Sequence, residues 1–394
     1  MKKYDFLIIG CGIFGVTTAI ALRRRHYHVG ILNPDAIPHP LAASTDISKV
    51  VRMEYGADRE YMDMVEVAVD GWHAWNEQFG DTLYHQVGFL MLCRQTPGPE
   101  AFEMSSYHNL IRKGYQPERL DADAIRQRFP AFSGGNYTEA FFNPIAGFAE
   151  SGRVVHALAA YAAELGVEIH AGQTAATLTH AGGRVTGVHT REGGQFDAGH
   201  VVVCAGAYTQ HLLPELQPFL KSTGHPVFHL KPSRPELFST PGFTVFTADI
   251  SNTGWYGFPL HPREGVVKIA NHGIGQQIDP ERDRRVVTDE DTRHFRQFLH
   301  ESLPALADDP IVFTRRCLYS DTPDGHFWID RHPALEGLTV AAGGSGHALK
   351  MGPVLGDLIA DTAEGRAHRW SARHRWRALG ADAKQVEEAR FKKS

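Results

Sequence analysis

The chain lacks the features that most quickly assign a protein. Only four of its 394 residues are cysteine: Cys11, Cys93, Cys204 and Cys317. None forms a C-x-x-C pair, so neither a disulfide framework nor a zinc site is indicated, and no metal is expected. No window carries the roughly 18 consecutive apolar residues that a membrane-crossing helix needs. The apolar run at 6–9 is too short for the core of a signal peptide. A soluble, cytoplasmic protein with no membrane partner is the expectation. Charge of one sign is lacking as well: 40 Lys and Arg face 45 Asp and Glu, a net charge of −5. That balance offers no wide basic field, so no nucleic-acid partner is expected. With 42% hydrophobic residues the chain has apolar surface enough to offset the cost of ordering, which excludes disorder.

Glycine is in excess. The 39 glycines are roughly a tenth of the chain against about 7% in ordinary proteins, a sign of backbone held close to something. The first thirty residues locate part of the excess. Residues 4–9 read as a buried strand, Gly10, Gly12 and Gly15 form G-x-G-x-x-G, 13–25 carry helical periodicity, and 29–32 resume a strand. Strand, glycine fingerprint, helix and strand in this order are the context of a dinucleotide site. Gly10 permits the tight turn, Gly12 lets backbone approach a pyrophosphate, and Gly15 lets helix and strand pack closely. The helix N-terminus then offers unpaired N–H groups to the phosphates. The second strand departs from the pattern, ending in Asn33 where Asp or Glu grips the ribose hydroxyls. An amide oxygen still accepts a hydrogen bond there, without charge assistance.

Periodicity further predicts helices over 61–79, 147–165 (capped by Gly166), 288–303 and 352–362, and a polar helical stretch running to about 132. Strands are expected at 88–93, 167–170, 175–180, 185–190, 200–204, 242–248, 255–258, 266–270 and 338–342. Dinucleotide-type elements therefore open, divide and close the chain, and strand-rich segments fill the gaps.

Four separated segments carry a resemblance. They are the fingerprint at 10–15, the run 46–55 with Lys49 and Arg52, the run 316–330 with Cys317 and Tyr319, and the loop 343–350. Together they resemble the monomeric sarcosine oxidase family, a branch of the FAD-dependent, D-amino-acid-oxidase-like amine oxidases. That branch includes N-methyltryptophan, pipecolate, saccharopine and fructosyl-amine oxidases, and the resemblance spans nearly the whole chain. It implies FAD bound by Gly10, Gly12, Gly15, Asn33, Gly343, Gly344, Gly346, His347 and Lys350, and joined covalently to Cys317. Arg315 and Arg316 would help form the thiolate that attachment needs. The resemblance also puts Lys268 above the flavin, where a cation in a dry site stabilises the charge developing on O₂. It puts His272 beside the substrate, and Arg52 with Lys350 on the substrate carboxylate, the Arg fork matching two oxygens. Tyr256 and Tyr319 are candidate pocket walls, with an ordinary core role equally open. Thr45 and Lys49 stand where sarcosine oxidases carry His and Arg. Lys49, a candidate catalytic residue with Lys268 and His272, is closer to the fructosyl-amine and saccharopine branches, which turns the expected substrate away from sarcosine.

The expected fold is α/β (α+β): a Rossmann-like FAD-binding domain interleaved with a substrate domain on a mixed, largely antiparallel sheet. The first comprises 1–82, 146–217 and 324–394, the second 83–145 and 218–323. The expected reaction is oxidation of a carboxylate-bearing amine (N-methyl, cyclic or N-substituted amino acid) with O₂ as acceptor, by a monomer or small homo-oligomer. A dehydrogenase using another electron carrier, or a non-catalytic flavin-binding subunit, are the alternatives. The segment 366–377, with five arginines, Trp370 and Trp376, is expected to pack on its own domain rather than bind an anionic partner.

Overall fold

Alternate residues of the first strand, Lys3–Ile9, enter two different cores. From residue 6 on, Phe6 and Ile8 face one apolar cluster, while Leu7 and Ile9 face another, the period of two that a strand imposes. A strand buried on both faces belongs in the middle of a layered α/β structure. The computed structural model, which describes residues 3–132, 136–379 and 390, shows this arrangement. Parallel strands run in the order Leu338–Ala342, Gln195–Val203, Lys3–Ile9, Val29–Asn33 and Glu168–Ala171. An antiparallel hairpin, Ala175–Ala181 with Arg184–Thr190, and the strand Trp328–Arg331 complete an eight-stranded sheet. Helices Ile13–Arg24, Ser151–Glu164 and Gly352–Glu364 cover one face. A Cβ on Gly356 would sit 2.4 Å from the Thr17 carbonyl, so a side chain there would force the first and last helices apart.

A second, nine-stranded sheet draws every strand from 89–143 and 221–321. It is mixed and largely antiparallel, with one parallel pairing between Val245–Ala248 and Phe89–Cys93. Its longest pairing joins Lys221–Leu230 to Ile311–Asp321 and sets His225 opposite Cys317 and Thr223 opposite Tyr319. A third sheet of three short strands, Lys49–Val51, Gly147–Ala149 and Tyr84–His85, lies apart from both. The mixed α/β class read from the sequence is the observed one.

Two local readings are corrected. Residues 147–149 form a strand, and the helix starts only at Ser151. A Cβ on Gly147 would lie 1.9 Å from the His85 carbonyl, so strand pairing to residues far away overrides helical periodicity. The polar stretch before 132 is also broken, into Phe102–Arg112, the strand Glu118–Asp121 and Ala122–Arg128. Asp121 ends that strand and caps the following helix, its carboxylate accepting from Ala124 N at 2.8 Å.

The arginine-rich segment packs on the chain itself. Arg373 pairs with Asp58 at 2.6 Å, Arg377 grips Asp324 with two bonds of 2.7 Å, and Trp376 lies against Trp328. Among the described residues no helix is long and apolar enough to cross a membrane. Residues 380–389 and 391–394, part of the expected segment 324–394, lie outside the described ones.

Candidate active site

The crossing from the first strand to the first helix opens on a cavity of about 690 Å³. Gly10 adopts φ +98°, and a Cβ on it would lie 2.6 Å from the Cys204 carbonyl. A Cβ on Gly15 would lie 1.9 Å from the Gly10 carbonyl. The fingerprint glycines thus let the turn fold onto itself. The cavity runs from Gly10, Gly12, Ile13 and Asn33 past Cys204 to Gly343, Gly344 and Gly346. The helix Ile13–Arg24 meets it with no acidic residue in its first turn, so its positive end is not neutralised by its own side chains. Asn33 lines the cavity, but its Oδ1 accepts from Cys11 N at 3.2 Å and its Nδ2 donates to the Asp35 and Ala36 carbonyls. Its amide therefore also stitches the turn together.

A second, small cavity of about 50 Å³ adjoins the first, and Lys49, Tyr319, Gly346 and Leu349 border both. Arg52, Tyr256, His272, His347 and Lys350 complete much of its wall. Lys350 Nζ donates to Tyr55 Oη at 3.1 Å, and His347 Nδ1 is 2.9 Å from the same oxygen. The Arg52 guanidinium lies over the Tyr55, Phe89 and Phe102 rings at 5.4 to 5.6 Å. Two buried cations, each over aromatic faces, thus border the same small cavity. His347 and Lys350, expected at the flavin, line the small cavity and not the large one. Tyr319 Oη lies 3.5 Å from His272 Nδ1, and burial pushes the Tyr256 phenol up to about 12.

Behind this wall lies a charged cluster that sequence reasoning only half found. Lys268 is buried but borders neither cavity; its Nζ donates to Asp46 Oδ2 at 2.7 Å and to the Ser48 carbonyl. Lys49 Nζ reaches the same carboxylate oxygen at 3.3 Å and Cys317 Sγ at 3.5 Å. Burial would raise the Asp46 carboxyl, but Lys268, then Lys49 and Arg315, hold it well below the usual range. Burial lowers Lys268 to about 8 even though Asp46 pulls it back up. Burial opposes a Cys317 thiolate too, yet Lys49 and then Arg315 outweigh it and lower the thiol. Arg316, expected to share that task, faces away and pairs with Asp291. Neighbours on a strand point to opposite faces, so Arg315 and Cys317 share a side and Arg316 does not.

The sequence pattern of the FAD dependent oxidoreductase (DAO) family matches residues 5–362. The chain belongs to this family. Among curated proteins, this oxidoreductase is 29% identical to L-saccharopine oxidase of Schizosaccharomyces pombe, over 94% of this chain and 92% of that one. It is 26% identical to monomeric sarcosine oxidase of an Arthrobacter species, over 92% of each chain. Among solved structures, Aspergillus fumigatus fructosamine oxidase (Amadoriase II) superposes with a TM-score of 0.84 at 25% identity. That match covers 100% of this chain and 94% of the other.

The residues of this FAD-dependent oxidoreductase fit the cofactor. The cavity reaches from a helix N-terminus with no acidic residue in its first turn, suited to a pyrophosphate, to a second glycine-rich loop beside the buried Tyr319. Sequence reasoning missed Asp46, which stood in the recognised run without a role, although an acid three residues before a lysine is a visible signal. It also missed Tyr55 and Glu54. Glu54 is buried beside Arg52, accepts from Asn143 Nδ2 at 2.8 Å, and is raised by burial.

Proposed function

We propose that this oxidoreductase oxidises a carboxylate-bearing N-substituted amino acid at the carbon next to nitrogen, with O₂ as electron acceptor. The observation that carries the reading is the small cavity in which Arg52 and Lys350 converge while Lys49 and Tyr319 border the FAD-sized cavity beside it. Relatives named for saccharopine, sarcosine and fructosyl amines support the substrate class.

FAD, when bound, supplies the two-electron acceptor and its return of electrons to O₂. Gly10, Gly12, the N-terminus of Ile13–Arg24 and the 343–346 loop would hold it, and Cys317, whose thiol Lys49 keeps acidic, would anchor it covalently. The chain's own work is positioning and electrostatics. Arg52 and Lys350 bind the carboxylate, and Tyr55 holds the Lys350 ammonium in place. Tyr256, Tyr319 and His272 wall in the amine and exclude water, so that it binds as the neutral base. Lys268, held by Asp46, provides the cation that favours negative charge on oxygen. The cofactor elements are assigned to 1–82, 146–217 and 324–394, and the substrate elements to 83–145 and 218–323.

The test is an anaerobic panel of N-substituted amino acids and their methyl esters, read by bleaching of the bound flavin. Free acids are expected to bleach it readily and the esters only at much higher concentration. Equal bleaching by both would remove Arg52 and Lys350 from the site, and peroxide formed on readmitting air tests the acceptor.

A further inference from the structure

Behind Tyr319 the wall of both cavities rests on a residue from the far end of the chain. Arg390 is 3% exposed. Its Nε donates to the Gly273 carbonyl at 2.9 Å, and its Nη2 donates to Asp321 Oδ2 at 2.9 Å and reaches His225 Nε2 at 3.2 Å. Thr223 joins the group: its hydroxyl donates to Asp321 and lies 3.1 Å from His225 Nε2. The His225 ring stacks on Tyr319, centroids 3.9 Å apart and 23° between planes, and the Arg390 guanidinium stands 5.5 Å from the Tyr319 centroid.

We propose that Arg390 is a positioning residue of the active site, bracing Tyr319 from behind through Asp321 and His225. The inference rests on the reading of Tyr319 as a wall of the substrate pocket. The guanidinium fork meets a strand, a loop carbonyl and an imidazole at once, and no shorter or more flexible cation matches all three. The brace also fixes the protonation of His225. To accept from Arg390, Nε2 needs its lone pair, so the ring stays neutral. Burial, then Arg390, His272 and Arg316, hold it well below its ordinary value. The other groups facing it are Asp321, Thr223 and Tyr319.

The test uses the full-length holoenzyme with Arg390→Ala, Arg390→Lys and the double change Arg390→Ala with Asp321→Asn. Arg390→Ala is expected to lower kcat/KM by about 10- to 100-fold, the loss that a wall shifted by about 1 Å produces. Added ethylguanidinium should restore part of it. In ¹³C-histidine spectra, with the His225 signal identified by its loss in His225→Gln, the wild-type ring should stay neutral between pH 5 and 8. It should take up a proton in Arg390→Ala, where Asp321 faces it without the Arg390 cation, and become neutral again in the double variant. Arg390→Lys, milder for folding, should keep the ring neutral while losing part of kcat/KM. Unchanged kcat/KM in Arg390→Ala, or a His225 titration that ignores both residues, overturns the proposal. The histidine spectra need no turnover, so they decide on the brace even if no amine in the panel is oxidised.

Discussion

The Lys268 ammonium donates to Asp46 Oδ2 at 2.7 Å, and both side chains are 1% exposed. An ion pair taken so fully out of water carries a desolvation cost that its mutual attraction barely repays. Its presence behind a reaction cavity fits a lysine required to stay charged rather than a stabilising bridge. Replacing it with Lys268→Met is therefore expected to slow reoxidation of the reduced enzyme by O₂ about 10²- to 10³-fold, the cost of removing one preorganised charge stabiliser. Anaerobic reduction by substrate should change far less. Stopped-flow traces of the two half-reactions check this, and unchanged reoxidation removes Lys268 from the oxygen chemistry.

Lys268 is lowered to about 8 by burial, with Asp46 opposing the shift. The cation is lost as pH rises through that value, so the O₂ step should slow above about pH 8. Asp46→Asn removes the opposing charge, and the fall should move to lower pH. A reoxidation profile from pH 6 to 10 for both proteins measures it, and coincident profiles would refute the coupling.

The same pair sets an acid limit on stability. Asp46 is held below its ordinary value, against burial, by Lys268 first. A depressed carboxyl contributes stability that is complete above about pH 4, the value in the unfolded chain, and is lost as pH falls further. Urea midpoints of the wild type should therefore drop steeply below pH 4 and those of Asp46→Asn less so.

Arg52→Ala is expected to raise KM for the free amino acid by about 10- to 100-fold, the range for losing a hydrogen bond to a charged group, roughly 1.5–3 kcal/mol. The methyl ester should be unaffected. Initial rates on the matched pair separate lost carboxylate binding from general damage, which would weaken both equally.

Cys317→Ser should leave FAD bound but extractable. After acid precipitation the yellow colour is expected in the pellet for the wild type and in the supernatant for the variant. Colour in both supernatants would sink covalent attachment. Lys49 Nζ lies 3.5 Å from Cys317 Sγ and lowers its thiol, so Lys49→Met should slow attachment during reconstitution of the apoprotein.

The fingerprint glycines, the helix capped by Gly166 and the buried strand Leu338–Ala342 were legible because each is a local rule written in consecutive residues. The partners of the candidate site were not. Asp46 meets Lys268 across 222 positions and Arg390 meets His225 across 165, and no periodicity reports such a distance. The face a side chain takes was also beyond the motif, as the opposite directions of Arg315 and Arg316 show.

By itself the sequence determined that backbone must approach a dinucleotide, which residues are able to carry the chemistry, and the order of the elements that bear them. Turns, caps and strand patterns follow from near neighbours, so these are contained in short stretches of chain. Only the tertiary structure decided which charges share a buried carboxylate, which residues border one cavity or two, and what stands behind Tyr319. Those are set by pairing of distant strands and by the cost of leaving any buried charge without a partner.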